Sequence, residues 1–128
     1  MKPRRMLGRA VLAAILAVIW AWGVPTAAGA HAIILESTPA AGSTGPAPAR
    51  LVLRFNSRLE KSLCSVELVG PGRRAIALLR LEPDAPPDTL AYPLPPALAP
   101  GAYQARWKVM AADGHVTEGA VAFTVVAS

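Results

Sequence analysis

The two histidines of this 128-residue chain lie where neighbouring groups could add further metal-binding atoms. His31 follows the small residues Ala28-Gly29-Ala30, which resemble the sites that signal peptidases cleave. Cleavage after Ala30 would leave His31 with an unblocked α-amine beside its ring nitrogen Nδ1. These two nitrogens can close a six-membered chelate on a metal ion, and a nitrogen-rich tetragonal ligand set suits Cu(II).

The second histidine belongs to the segment Asp113-Gly114-His115. Residues two apart in an extended segment project to the same side, so the Asp113 carboxylate and the His115 imidazole can face one ion. Gly114 allows the tight bend that this arrangement needs. With the amine and Nδ1 of His31, these groups make four donors, which is a complete or nearly complete equatorial set for one Cu(II) per chain.

Each half of this predicted site also has a simpler interpretation. Asp-Gly between two strands is a common hairpin turn, and a histidine in a loop is usually just a solvated side chain. His31 could equally be no more than the residue at which the peptidase cuts. That the only two histidines occupy these two places favours a metal site. Spacing alone does not show that the amino terminus reaches Asp113 and His115, so both interpretations remain open at this point.

Residues 1–30 are predicted to be a cleaved signal peptide. Met1–Arg9 is basic, Ala10–Val24 is strongly apolar, and the small residues before His31 follow. The apolar run of about 15 residues is shorter than the roughly 20 that a membrane-spanning helix needs. Arg4-Arg5 leaves the Sec and Tat export routes open. Residues 31–128 are therefore predicted to form one periplasmic domain without stable membrane insertion.

The composition of the exported part excludes several classes of function. The formal net charge is +5, but residues 31–128 carry nine Lys and Arg against eight Asp and Glu, so no nucleic-acid partner is expected. Eleven of the 13 prolines also lie there, which argues against a helical bundle. Cys64 is the single cysteine, which excludes an intramolecular disulfide and a multi-cysteine metal site. Cys64, Phe55 and Trp107 are predicted to be core residues.

Strict alternation of apolar and polar residues predicts a β-rich domain. The clearest case is Tyr103–Val109, whose period of two is typical of a strand with one buried face. The other predicted strands are Ala32–Glu36, Leu51–Asn56, Cys64–Val69, Ala75–Leu81, Thr89–Tyr92 and Val121–Val125. Turn-rich stretches such as Pro39–Pro48 separate them. This pattern predicts an all-β antiparallel sandwich of immunoglobulin-like type, with a small barrel as the alternative.

Several motifs together carry a more specific resemblance. They are His31-Ala32, Leu51-Val52-Leu53-Arg54-Phe55, Leu98-Ala99-Pro100-Gly101-Ala102-Tyr103, Arg106-Trp107-Lys108-Val109, Asp113-Gly114-His115 and Phe123-Thr124-Val125. Along essentially all of residues 31–128, the chain resembles the CopC family of periplasmic copper-binding proteins. The resemblance implies a seven-stranded Greek-key β-sandwich with a Cu(II) site. By position, its ligands would be the amine and Nδ1 of His31, the Asp113 carboxylate and the His115 imidazole.

The same resemblance implies a role in copper trafficking or buffering, and in copper resistance or uptake. It implies a CopD-like inner-membrane copper transporter as the partner, and we expect a monomeric protein with no catalytic residues. Two positions depart from the family pattern. Met110 is the only methionine of residues 31–128, so a methionine-rich Cu(I) site cannot form. Ser57 stands where many relatives have a glutamate near the copper site.

Two other functions compete with this interpretation. A copper monooxygenase with an amino-terminal histidine brace would also use the chelate of His31 and a second histidine. Asp113 argues against such an enzyme, because its carboxylate would occupy a position that oxygen chemistry keeps open. The remaining alternative is a metal-free immunoglobulin-like module of the periplasm.

Overall fold

The structure, a computed structural model, describes residues 32–127. Within that range the chain forms eight β-strands and two single-turn 3-10 helices, at Lys61–Leu63 and Pro71–Arg73. The strands are β1 (Ile34–Thr38), β2 (Thr44–Gly45), β3 (Arg50–Phe55), β4 (Ser65–Val69), β5 (Ala75–Ile76), β6 (Thr89–Pro93), β7 (Gly101–Met110) and β8 (Val116–Val125). In this part of the chain, no helix is long and apolar enough to cross a membrane. The predicted signal peptide lies outside the described residues and stays a prediction.

The strands form two sheets that share one hydrophobic core. One sheet has three strands in the order β1-β3-β6, and the other has five in the order β2-β8-β7-β4-β5. Neighbouring strands are antiparallel except for the short parallel pair of β2 and β8. A single cluster of buried apolar side chains contains residues of both sheets. The predicted all-β sandwich is therefore confirmed.

Burial follows the alternation that the sequence shows. On β3 the side chains of Leu51, Leu53 and Phe55 are fully buried, and on β7 every second residue from Tyr103 to Val109 is buried. Full burial of one such apolar side chain stabilises the fold by roughly 1.5–3 kcal/mol. Phe55 and Trp107 meet edge to face across the two sheets, with ring centroids 5.1 Å apart. Both were predicted to be core residues, and this is confirmed.

The predicted strands differ from the observed ones in number and in length. The structure adds a strand at Thr44–Gly45, inside the stretch predicted to be turns, because these two residues pair with the end of β8. The strand predicted at Ala75–Leu81 ends after Ile76. Residues 77–81 lead from the five-stranded sheet to the three-stranded one and pair with neither. At the end of this connection, the Glu82 amide donates to the Ala91 carbonyl of β6. Eight strands therefore replace the predicted seven.

Cys64 lies beside the core rather than fully inside it. Its side chain is partly buried against the hydrophobic cluster, and its Sγ donates to the Glu60 carbonyl over 3.3 Å. Burial raises the pKa of the Cys64 thiol. A thiol with a raised pKa is a poor nucleophile and a poor metal ligand at neutral pH, which agrees with a packing role.

The hairpin of β7 and β8 is the longest paired element of the described chain. Its register is continuous from Gly101 opposite Val125 to Met110 opposite Val116. Opposite Trp107 lies Gly119, and the indole covers it so closely that an added Cβ would lie 2.3 Å from Cζ2. The hairpin therefore carries the connecting segment 111–115 at its tip.

Candidate metal centre

The segment 111–115 is a tight turn held by its own backbone. The Ala111 amide donates to the His115 carbonyl, and the Gly114 amide donates to the Ala111 carbonyl, each over 2.9 Å. Gly114 has φ +89°, in the left-handed region that favours glycine. The segment that follows β3 supports the turn, because the Ala112 amide donates to the Arg58 carbonyl over 2.8 Å.

The turn brings two of the predicted site residues into contact. The Asp113 Oδ1 accepts a hydrogen bond from the His115 amide over 3.1 Å, and its Oδ2 lies 3.1 Å from the His115 Nδ1. Both side chains are about half exposed, at 47% for Asp113 and 52% for His115. The hydrogen bond from the His115 amide, helped by the His115 side chain, lowers the pKa of the Asp113 carboxyl. Asp113 is thus a charged carboxylate beside an imidazole on an accessible turn.

His31, the third predicted site residue, lies outside the described residues. The structure begins at Ala32, which is buried, and its carbonyl accepts a hydrogen bond from the Thr117 hydroxyl over 3.2 Å. The next residue, Ile33, exchanges two hydrogen bonds with Asn56: its amide donates to Oδ1 over 2.8 Å, and its carbonyl accepts from the Asn56 amide over 3.0 Å. Ala32, the residue that follows His31, is therefore hydrogen-bonded to Thr117, which lies two residues after His115 in the chain.

Asp113 and His115 do not form a metal site by themselves. Among residues 32–127, no three His, Cys, Asp or Glu side chains are grouped so that they could hold one metal ion. Two protein donors leave half of a four-donor site to be supplied from elsewhere.

The sequence did not indicate that the side chains of Asn56 and Thr117 would hold the start of the described chain. Neither side chain belongs to a metal-binding residue type, and the apolar alternation of β8 is interrupted at Thr117 and Gly119, so its first five residues were not predicted as strand. Ser57 stands where the family pattern predicts a glutamate. Its hydroxyl donates to the Arg58 carbonyl over 3.1 Å. Its position gives no carboxylate to this end of the sandwich.

Comparison with known proteins relates this chain to one family. A family model of the CopC domain matches residues 34–126. Protein YobA of Escherichia coli (strain K12) is 32% identical over 114 residues, which cover 86% of this chain and 90% of YobA. Copper resistance protein C of Pseudomonas syringae pv. tomato is 31% identical over 108 residues, which cover 80% of this chain and 86% of that protein.

Solved structures give the same answer for the fold. PcoC, a methionine rich copper resistance protein from Escherichia coli, superposes with a TM-score of 0.68 at 26% identity, covering 75% of this chain and 99% of PcoC. CopC from Methylosinus trichosporium OB3b superposes with a TM-score of 0.65 at 26% identity, covering 74% of this chain and 93% of that one. Since the family model spans most of the chain and relatives above 30% identity cover most of its length, the chain belongs to the CopC family.

Proposed function

We propose that this chain is a periplasmic Cu(II)-binding protein that buffers or carries copper and is not an enzyme. One observation carries the proposal: the contact between Asp113 and His115 lies at the same end of the sandwich as the hydrogen bond that holds Ala32 to Thr117. His31 is joined to Ala32 by one peptide unit, which spans about 3.8 Å between α-carbons. Cleavage after Ala30 would therefore put an amine and an imidazole within reach of the turn.

The proposed ligands are the α-amine and Nδ1 of His31, the Asp113 carboxylate and the His115 imidazole. Three nitrogens and one carboxylate oxygen form a donor set that favours Cu(II) over softer or harder ions. A carboxylate offers about four lone-pair positions. Asp113 can thus keep the hydrogen bond from the His115 amide through Oδ1 and use Oδ2 toward the metal.

The side chains that are available support a single Cu(II) site per chain. Met110 is the only methionine after residue 30, and one thioether is too few for a soft Cu(I) site. Its carbonyl accepts the Glu60 amide, so its backbone is part of the support for the turn. In this respect the chain differs from PcoC, whose structure is described as that of a methionine rich protein.

The proposed place of action and partner rest on the family. Two relatives bear the name copper resistance protein C, which supports a role in copper resistance or uptake. The predicted signal peptide supports export to the periplasm. There the protein would exchange copper with a CopD-like inner-membrane transporter, acting as a monomer. Donors that fill the equatorial positions leave no open place for oxygen chemistry, which favours a carrier over a histidine-brace monooxygenase.

The deciding experiment is a Cu(II) titration of chain that begins at His31, followed by electron paramagnetic resonance. We expect one equivalent to bind with a tetragonal, nitrogen-rich spectrum. Asp113→Ala should weaken binding, whereas Asp84→Ala should leave it unchanged, because Asp84 is also an exposed aspartate but lies in the 82–87 loop, beside the other sheet. A chain that binds no Cu(II) would support the metal-free module instead. Equal binding by both variants would show that Asp113 is not a ligand. Copper-dependent oxidation of an added substrate would favour the enzyme.

A further inference from the structure

Hydrogen bonds outside the β1 ladder, two of them to side chains, hold the two residues that follow His31. The ladder of β1 begins only at Ile34, opposite Phe55. Before it, the Ala32 carbonyl accepts from the Thr117 hydroxyl, and the Ile33 amide donates to the Asn56 side chain. Both of these bonds connect the amino-terminal segment to elements far away in sequence, at the end of β3 and the start of β8.

Thr117 occupies an inward position on β8, directly opposite Val109 of β7. Its neighbours at inward positions along the strand, Gly119 and Val121, face the core, and Thr117 itself is half-buried. The Thr117 hydroxyl is therefore the polar group that this face of the hairpin offers to the Ala32 carbonyl. The Ala32 side chain is buried. Asn56 is more exposed, but it fixes both backbone groups of Ile33.

We propose that Thr117 and Asn56 are positioning residues, which aim the amino terminus at the Asp113–His115 turn. This inference rests on the proposed function, because it assigns a role toward the terminal chelate. A chelate at a chain end loses conformational freedom when it binds a metal ion, and a terminus that is already held loses less. Thr117 acts through the Ala32 carbonyl and Asn56 through the Ile33 backbone, so neither needs to touch the metal.

The size of the expected effect follows from the strength of single hydrogen bonds. Removing one bond of this kind should weaken Cu(II) binding about 3- to 10-fold. Thr117 should have the larger effect, because its hydrogen bond is half-buried and holds Ala32, the residue next to His31. The hydrogen bond of the Asn56 side chain is exposed and holds Ile33, one residue further away. The effect should be small compared with the loss of a nitrogen ligand such as the His115 imidazole.

The test compares Thr117→Val with Thr117→Ser in chain that begins at His31. Valine keeps the shape of threonine and removes the hydroxyl, so Cu(II) affinity should fall about 3- to 10-fold; serine keeps the hydroxyl and should restore it. Thr124→Val is the matched control, because Thr124 lies on the exposed face of the same strand. Affinity is measured by competition with a chelator, and folding by circular dichroism and thermal unfolding.

The readout that separates positioning from general stability is coupling to the amino terminus. All variants are also prepared in a form that retains Ala30, in which the amine of His31 has become an amide. In that form Thr117→Val should change residual Cu(II) affinity less than about twofold, because there is no terminal chelate left to position. An equal loss in both forms would mean that Thr117 has only a structural role, and the positioning inference would be wrong.

The remaining outcomes are also decisive. If the unmodified chain that begins at His31 fails to bind one Cu(II), the proposed function itself is wrong. If it binds, but Thr117→Val binds equally well, the function stands and the positioning role of Thr117 is refuted. Should Thr117→Val fail to fold, the same comparison is made with Asn56→Ala, and with Asn56→Asp, which keeps the acceptor oxygen. Coupling of Asn56→Ala to the amino terminus then supports the inference, and its absence overturns it.

Discussion

The two halves of the proposed copper site are built in different ways. The turn with Asp113 and His115 closes through hydrogen bonds between residues no more than four apart, at the tip of a continuous hairpin. Its bonds to Arg58 and Glu60 join backbone groups, which a change of side chain leaves in place. The segment that begins at Ala32 depends on Thr117, 85 positions away, and on Asn56. A local half should survive changes elsewhere in the molecule, whereas the half that depends on distant contacts should fail whenever one of them is lost.

Acidification should produce the largest change, and it should separate the two halves. Metal ligands must be deprotonated, and in model peptides an imidazole loses its proton near pH 6.5 and an α-amine near pH 8. Lowering the pH adds protons to the donors, so the apparent Cu(II) affinity should fall by several orders of magnitude between pH 8 and pH 5 if two imidazoles and one amine bind. Chelator competition at several pH values measures this.

Asp113 should not contribute to that loss. Its pKa lies below the ordinary value of 3.8, so it stays charged down to that pH, and the contact with His115 that depends on its charge weakens only as the pH falls further.

Chain that retains Ala30 should lose the part of the pH dependence above pH 6.5. Affinity that is the same at pH 8 and pH 5 would show that other groups bind the metal.

Blocking the amino terminus should be the next largest effect. One residue retained ahead of His31 converts the amine to an amide, which is a poor donor near neutral pH, and it breaks the chelate ring. Affinity should fall by more than roughly 100-fold, since losing even a group that supports a ligand costs 10- to 100-fold. Thermal unfolding should not change, because the extra residue lies before β1. Enzymatic removal of the residue should restore binding, and equal affinity of both forms would remove His31 from the site.

Substitutions in the turn should be graded. His115→Ala removes a nitrogen donor, and Cu(II) affinity should fall roughly 100-fold with the fold intact. Asp113→Ala should cost about 10-fold, because water can occupy the vacated position, and ascorbate-driven peroxide formation should rise as the site opens. Isothermal titration and a peroxide assay measure the two effects. Negligible effects of both substitutions would make Asp113-Gly114 a plain hairpin turn.

The smallest effect on copper should come from a change that damages the hairpin itself. Gly119→Ala places a Cβ within 2.3 Å of the Trp107 ring, so the free energy of unfolding should fall by about 1–3 kcal/mol. Gly45→Ala is the control, since an added Cβ there meets nothing within 4 Å, and it should change stability by less than about 0.5 kcal/mol. Denaturant unfolding measures both.

The folded fraction of Gly119→Ala should still bind Cu(II) with nearly normal affinity. The turn closes through its own backbone, so a change six residues away from Asp113, in the middle of the turn, should leave its geometry in place. Loss of copper binding by a folded Gly119→Ala protein would contradict the view that this half of the site is local.

The sequence by itself determined the sandwich class, the core positions of Phe55 and Trp107, and the approach of Asp113 to His115. Each of these follows from local rules: a period of two selects the buried face, and a glycine between two strands permits the turn. For the same reason the start of β8 was missed, since Thr117 and Gly119 interrupt the apolar alternation at inward positions.

Only the tertiary structure explains why Thr117 and Gly119 are not large apolar residues. Gly119 makes room for the Trp107 ring, and Thr117 gives the Ala32 carbonyl a hydrogen-bond donor. Likewise, the pairing of Thr44–Gly45 with β8 and the early end of the strand at Ile76 depend on which sheet edge each segment reaches. Contacts between residues that are distant in the chain leave no periodic pattern in the sequence. The reason is that the two partners of such a contact meet only after the sheets have packed.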